Sequence, residues 1–451
     1  MTRPNIIFYF SDQQRWDTLG CYGQPLPVTP NLDRLAREGT RFTHAFTCQP
    51  VCGPARACLQ SGVYATQTGC YRNAIALPQG IPTLASCFAK AGYETAYVGK
   101  WHLASNKSSY GAPPDGECFE TRAVPPERRG GYRDYWMVSD VLEFTSHGYD
   151  GYVFDGDGGR HDFIGYRADA INNYAIHYLH WDHSEKPFFL FISQIEPHHQ
   201  NDHHRFEGPD GSRERFADFV KPDDLPDGEG DWKENYPDYL GQCHSLDENV
   251  GRLVDTLRQE GLWDNTILFY TSDHGSHFCT RNAEYKRSCH ESSIRVPLIA
   301  VGGPFAGGKE IGELVSLIDL PATLLDCAGI PIPEAFQGRS LVPLAQGKAQ
   351  DWENCVFVQI SESQVGRAIR TPRWKYAVAA RADGWTERGA DMYYEQFLYD
   401  LEQDPCERRN LVSEPAYRER RAELATLLKR CMERAGEPVP EILPCEEETS
   451  P

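Results

Sequence analysis

Two stretches far apart in the chain, NIIFYFSD (5–12) and TILFYTSD (266–273), each run through apolar residues and close on Ser-Asp. Short runs of this kind, alternating with segments of helical spacing, predict strands of an α/β fold with a largely parallel sheet. Further predicted strands are TAYVGK (95–100), FFLFIS (188–193) and VPLIAV (296–301). Helices are predicted over 30–39, 55–63 and 83–92. The clearest covers 238–261, where Leu246, Val250, Leu253, Val254 and Leu257 recur on one face. Gly39, Gly92 and Gly261 stand where a glycine ends a helix.

A chain of 451 residues can bury one large core and a smaller one. The composition turns polar around 345–354, which predicts a catalytic domain over 1–350 and a smaller sheet-plus-helix subdomain over 351–451. The subdomain is read from VFVQIS, AIRTPRWKYAVAA, QFLYDLEQDP and a final helix over 415–435. Segments 105–165 and 197–237, rich in Gly, Pro and charge, are predicted as long loops serving recognition. Within the first, DGDGG (155–159) misses the spacing of a calcium-binding EF-hand loop and reads as a glycine hairpin. His177, His180 and His183 fall on a predicted helix and need no chemical role.

The net charge of -20, with no Lys/Arg run, argues against nucleic acid or an anionic membrane as the main partner. A small anionic substrate remains compatible, since a few cations in a cleft suffice. The apolar run near the N-terminus is five residues, too short for a secretory h-region, and no stretch approaches a membrane span. The expected location is therefore the cytoplasm. There the 15 scattered cysteines, without a C-x-x-C pair, should mostly be buried thiols.

Ligands of parallel α/β sheets gather at the carboxyl ends of strands. Asp12 and Asp273, followed by Gln13 and His274, would then meet in one cleft as two carboxylates, an amide oxygen and an imidazole. That set suits Ca²⁺, Mg²⁺ or Mn²⁺, although either Asp alone could equally cap a helix or turn. Lys100 and His102 follow TAYVG, His198 and His199 follow FFLFIS, and Lys286 lies in a loop before a strand. Each alone reads as a solvated residue; together they suit a compact tetrahedral anion. The remaining histidines of HHQNDHH are assigned to the pocket wall or to solvent rather than to a second metal. Cys52, in QPVCGPARACLQSG (49–62), has polar, turn-forming surroundings unlike those of a core thiol.

Cys52, Pro54, Arg56, Leu59 and Gly62 match the signature C-x-P-S/A-R-x-x-L-x-x-G, with Ala55 as the less common option. With PNIIFYFSDQQ, YVGKWHL, LDENVGRLVDTL, DNTILFYTSDHG and ESSIRVPLI in order along the chain, the sequence resembles the type I sulfatases, formylglycine-dependent members of the alkaline phosphatase superfamily. The resemblance implies an alkaline-phosphatase-like fold whose C-terminal subdomain pairs an antiparallel sheet with a helix. It implies that a maturation enzyme oxidises Cys52, exposed on its turn and marked by Pro54 and Arg56, to Cα-formylglycine, which Arg56 then steadies. Asp12, Gln13, residue 52, Asp273 and His274 match the metal positions, usually for Ca²⁺. Gln13 and His274 stand where Asp and Asn are commoner, which leaves Mn²⁺ or Mg²⁺ open.

Lys100, His102, His198 and Lys286 match the sulfate-binding and proton-transfer residues, and Asn73 and His199 the substrate-contacting ones. The implied reaction is release of inorganic sulfate from a sulfate monoester. Loops such as RGGYRDYW and EPHHQNDHHRFEGP, similar to those of bacterial carbohydrate sulfatases, point to a glycan fragment. The rival readings are a phosphonate monoester or phosphodiester hydrolase of the same superfamily and a non-catalytic sulfated-glycan binder. The first tends to lack the pair that Lys100 and His102 supply. The second should have lost Cys52 or the metal residues.

Overall fold

The structure is a computed structural model describing residues 3–107 and 116–445. Residues 108–115 of the predicted loop 105–165 lie outside the described part. The main sheet contains, in chain order, β1 (Asn5–Ser11), β2 (Thr40–Phe46), β3 (Glu94–Lys100), β4 (Tyr135–Ser139), β5 (Asp150–Phe154), β6 (Arg160–Ile164), β7 (Phe188–Ser193), β8 (Thr266–Ser272), β9 (Arg295–Val296), β10 (Leu298–Val301) and β11 (Lys309–Ser316). Their spatial order is β11-β2-β10-β8-β1-β7-β3-β4-β5-β6, with β9 on β2. The centre, β8-β1-β7-β3-β4, is parallel throughout.

β1 is apolar at nearly every position because both of its faces are covered. Ile6, Phe8 and Phe10 point into one core with the Cys52–Ser61, Leu84–Lys90 and Asp319–Cys327 helices. Ile7 and Tyr9 point into the other, with the Pro30–Glu38, Arg167–Leu179 and Trp232–Gln259 helices. Aromatic rings tie the strands together. Phe191 stacks on Phe8 and on Tyr97, each at 4.9 Å between centroids, and such pairs add about 0.5–1.5 kcal/mol beyond area burial.

Several expectations change. VPLIAV is not one parallel strand: Pro297, which cannot donate a ladder hydrogen bond, divides it into β9 and β10, and β10 runs antiparallel to β8 and β2. Segment 105–165 is not one loop, since β4 extends the parallel sheet and β5–β6 is an antiparallel hairpin turning through 155–159. The helix predicted over 238–261 begins six residues earlier, at Trp232. Strand β2 (TRFTHAF) is an addition to the strands predicted from sequence.

A second sheet joins Val356–Ile360, Val365–Arg370, Trp374–Ala380 and Met392–Asp400 in antiparallel order, with Glu441–Leu443 parallel at its edge. The Arg418–Arg434 helix covers it through Leu424, Leu428 and Met432. The two sheets meet where Phe46, Ile294 and Leu314 pack on Val356, Val358 and Ile360. Beside this seam Lys375, fully buried, lies between Glu291 at 2.9 Å and Glu407 at 2.5 Å. All fifteen cysteines are free thiols, and no described helix is long and apolar enough to cross a membrane.

Candidate active site

Strand register places the first residues. Ser11 of β1 is level with Ser272 of β8, so Asp12 and Asp273 leave adjacent strands side by side, both fully buried. On the other flank Ser193 ends β7 and Lys100 ends β3 at the same edge of the sheet. Gln13 turns away with φ of 68° while its backbone N–H donates to Asp273 Oδ1 at 3.0 Å.

Cys52 is the first residue of the Cys52–Ser61 helix and only 2% exposed, so it does not sit on an exposed turn as the sequence suggested. Pro54 is tolerated because first-turn N–H groups have no intrahelical acceptor. Gly53 donates its N–H to Asn73 Oδ1 at 2.9 Å, and a Cβ there would stand 2.8 Å from that oxygen. Asn73 lines the cavity as expected of a substrate contact, but its side-chain oxygen is already committed to the helix start.

Cys52 Sγ lies 3.0 Å from Lys286 Nζ, 3.3 Å from His274 Nε2 and 3.4 Å from Asp12 Oδ1. Ligand atoms of Asp12, Cys52, Asp273 and His274 fall within 4.8 Å of one another. Lys100 Nζ pairs with Asp12 Oδ2 at 2.7 Å, and Arg56 Nη2 with the same oxygen at 3.0 Å. Arg56 also donates to Ser193 Oγ at 2.6 Å and to the Lys100 carbonyl at 3.1 Å. Lys286 Nζ reaches His198 Nε2 at 3.0 Å and Gln13 Oε1 at 3.4 Å. His198 Nδ1 meets the His199 carbonyl at 2.6 Å. A carbonyl only accepts, so Nδ1 carries the proton and Nε2 is free to take one from Lys286. The His199 ring lies between those of His198 and Tyr285, at 4.5 and 4.1 Å.

Charge in this buried cluster shifts its groups apart. Burial alone would raise Asp12, but Lys100, His198 and Arg56 hold its carboxyl well below the usual range. Burial and then Asp12 push the Asp273 carboxyl up to about 6. His102 is pushed down to about 3 by burial and Lys100, and His198 is lowered by burial and Lys286. Burial and Asp12 oppose ionisation of Cys52, yet Lys286, Lys100 and His274 bring its thiol to about 6. Cys21, Cys70 and Cys289 are pushed up to about 12, chiefly by burial. In metal-free, unconverted protein, alkylation of Cys52 by iodoacetamide should therefore rise through pH of about 6, against about 8.5 for an ordinary thiol. Lys286→Met should move that midpoint upward. Peptide mass mapping across pH reads both, and a wild-type midpoint near 8.5 would contradict the electrostatic picture.

The cluster lies at the wall of a cavity of about 620 Å³. Asn73, Lys100, His102, His198, His199 and Lys286 all line it. His102, at φ of 61°, donates its N–H to the Asp140 carbonyl at 2.6 Å. The Asp140 carboxylate accepts from the backbone of Leu103, Ala104 and Ser105, fixing the loop after β3. Asp140 follows WMVS at the end of β4, a third apolar strand closed by Ser-Asp. That signal is present in the sequence but falls inside a predicted loop.

Glu143, Tyr285, Arg287 and Trp385 also line the cavity and are not identified from sequence. Burial raises the Glu143 carboxyl, whose Oε2 is 3.6 Å from His198 Nδ1. Arg287 is paired at 2.5 Å with Glu362, which also accepts the Asn73 N–H at 2.7 Å. Gln13, Ala74, His102, Arg287 and Glu362 all have positive φ, so non-glycine strain gathers around this cavity.

The family model described as Sulfatase matches residues 4–330, and that described as N-sulphoglucosamine sulphohydrolase, C-terminal, matches residues 283–434. An uncharacterized sulfatase YidJ of Escherichia coli (strain K12) is 30% identical, covering 97% of this chain and 89% of its own. An N-acetylglucosamine-6-O-sulfatase of Bacteroides thetaiotaomicron is 26% identical, covering 95% of this chain and 86% of its own. A protein solved in complex with its substrate D-glucosamine-2-N,6-O-disulfate superposes with a TM-score of 0.76 at 25% identity, covering 96% of this chain and 98% of that one.

Proposed function

The chain belongs to the sulfatase family and is a sulfate-ester hydrolase, and from that premise we propose that it releases sulfate from a sulfated saccharide with residue 52 as nucleophile. The observation that carries this reading is Cys52 Sγ on the cavity wall, within 3.4 Å of Lys286, His274 and Asp12 together.

The residues fit a divalent metal. Asp12 and Asp273 are two adjacent buried carboxylates, and Asp273 Oδ2 has no hydrogen-bond donor among the described residues. Asp12, Gln13, Asp273, His274 and residue 52 would hold the ion. Their oxygen-rich set suits Ca²⁺, and the single imidazole also suits Mn²⁺. When bound, the metal supplies Lewis acidity and charge neutralisation at position 52. Conversion of Cys52 to formylglycine supplies a hydrated aldehyde, whose second hydroxyl lets the nucleophile be regenerated. Because position 52 is buried within a helix, a maturation enzyme would act before that helix docks.

The chain's own groups then divide the work. Lys100 and Arg56 place cations at the strand edge, where they offset the charge of a sulfate group. Lys286 and His198, 3.0 Å apart, can pass a proton to the departing alcohol oxygen. His102, held neutral and lining the same cavity, can accept a proton from residue 52. We take residues 1–350 to carry this chemistry and 351–451 to complete the cavity wall through Trp385 and to hold Arg287 in it through Glu362.

The sulfated-glucosamine substrates of the two relatives support a glucosamine-type sulfate here. So do the carboxylates and amides of Glu143, Asn201 and Asp202, which suit sugar hydroxyls, and the rings of Tyr285 and Trp385. The test is protein co-expressed with a formylglycine-generating maturase and offered glucosamine 6-sulfates, 4-nitrophenyl sulfate and a phenylphosphonate monoester. The saccharide sulfates are expected to exceed the aryl sulfate in kcat/KM by about tenfold or more, the discrimination of roughly 1–3 kcal/mol that a shaped pocket gives. Phosphonate hydrolysis exceeding sulfate release would overturn the proposal.

A further inference from the structure

Away from the Cys52 cluster, at the rim of the same cavity, His147 meets Asp202 and His203. We propose that these three residues form a separate site for a divalent ion of the zinc class. His147 comes from the segment between β4 and β5, and Asp202 and His203 from the segment after β7, so the site joins two segments at the cavity mouth.

His147 Nε2 lies 2.9 Å from Asp202 Oδ2, and His203 Nε2 lies 3.9 Å from the same oxygen. One ligand atom from each residue falls within 4.8 Å of the others, so small side-chain rotations bring all three to the distance of about 2.0–2.2 Å at which such groups bind Zn²⁺. The two imidazole rings stack, parallel to within 7° at 4.5 Å, so one ring turns out of the stack for both Nε2 lone pairs to meet one ion.

Both rings also have carboxylates behind them. His203 Nδ1 lies 2.5 Å from Glu207 Oε1, which leaves Nε2 with its lone pair facing Asp202. His147 Nδ1 faces Asp150 Oδ1 at 3.8 Å. Carboxylates placed behind ligating imidazoles orient them and raise their basicity. Glu207 further accepts from the Gly148 N–H at 3.1 Å and from Arg205 at 3.2 Å, so it braces both segments. Asp202 Oδ1 accepts from Gln200 Nε2 at 2.8 Å, leaving Oδ2 directed at the histidines.

Two imidazoles and one carboxylate favour Zn²⁺, Ni²⁺ or Cu²⁺ over Ca²⁺, the reverse of the oxygen-rich set around Asp12. Three protein ligands leave a coordination position open. Asp202 also lines the cavity, so an oxygen from the outer part of a bound substrate can reach that position. The site stands whether or not residue 52 is the nucleophile. Sequence spacing places His203 only in the pocket wall or solvent, because its partner His147 lies in a different segment.

The test titrates chelator-stripped full-length protein with Zn²⁺ against a chromophoric competitor, in wild type, His147→Ala/His203→Ala, Glu207→Gln and Asp273→Asn. Wild type is expected to bind one equivalent more than the double variant. Glu207→Gln should weaken that equivalent by about 10–100-fold. Asp273→Asn should retain it, with a zinc X-ray absorption spectrum showing nitrogen and oxygen neighbours. Equal stoichiometry and affinity in wild type and the double variant would overturn the site, as would sulfur neighbours in Asp273→Asn. If the double variant does not fold, unchanged affinity in Glu207→Gln overturns it instead.

Discussion

Replacing Cys52 by alanine is expected to lower sulfate-ester turnover by about 10⁴-fold or more, in line with removal of other enzymatic nucleophiles. The expectation rests on position, since Sγ is the atom that touches Lys286, His274 and Asp12 at once. Stability should change little, by about 1 kcal/mol or less, because Sγ interacts with polar groups and the helix start is held by Gly53 and Asn73. Turnover of 4-nitrophenyl sulfate and thermal unfolding by circular dichroism separate the two effects. Wild-type turnover in the variant would place the nucleophile elsewhere. A folded but inactive variant is the expected result.

Arg56→Met should be costly in a different way. The guanidinium is 2% exposed, pairs with Asp12 at 3.0 Å and Asp273 at 3.5 Å, and lies over the Phe10 ring. Removing it leaves buried carboxylates short of one cation, for which a loss of about 3–5 kcal/mol is typical. The deficit should depend on pH. Asp273 has a folded pKa of about 6, above its ordinary 3.8, so its contribution favours folding at low pH and is lost as pH rises through 6. Losing Arg56 raises that pKa further. Asp12 is shifted the opposite way, and its contribution, present above the unfolded carboxyl range, shrinks without Arg56. The Asp273 change weakens the variant more at pH 7.5 than at pH 5, whereas the Asp12 change is nearly the same at both. Urea unfolding of metal-free protein at the two pH values checks this; equal losses at both would show that the guanidinium does not act on Asp273.

Particular residues show how much is legible in the sequence. NIIFYFSD and TILFYTSD are readable because an apolar run ended by a polar pair is a local property. So is Gly261, whose φ of 68° follows the Trp232–Gln259 helix. The α/β class follows from such runs, and the antiparallel course of the second sheet from the family resemblance. Strand β4 is hidden because its five residues lie among glycines and charges. Asp140, which carries the same Ser-Asp ending, is lost with it. The direction of β10 is also hidden, since an apolar run carries no mark of whether its neighbour is parallel.

By itself, then, the sequence determined the central strands and the main helices, and that the ends of β1, β3, β7 and β8 are followed by carboxylate, imidazole or ammonium groups. These depend on neighbours within a few residues. Only the tertiary structure decided that Ser11 is level with Ser272, that Cys52 is buried rather than exposed, that Trp385 reaches the cavity, and that Glu362 pairs with Arg287 on its wall. The physical reason is that register, burial and cross-chain ion pairs depend on how whole faces pack. His147 and Asp202 meet because two loops are braced by Glu207 and fixed by the sheet beneath them, and spacing along the chain records none of that.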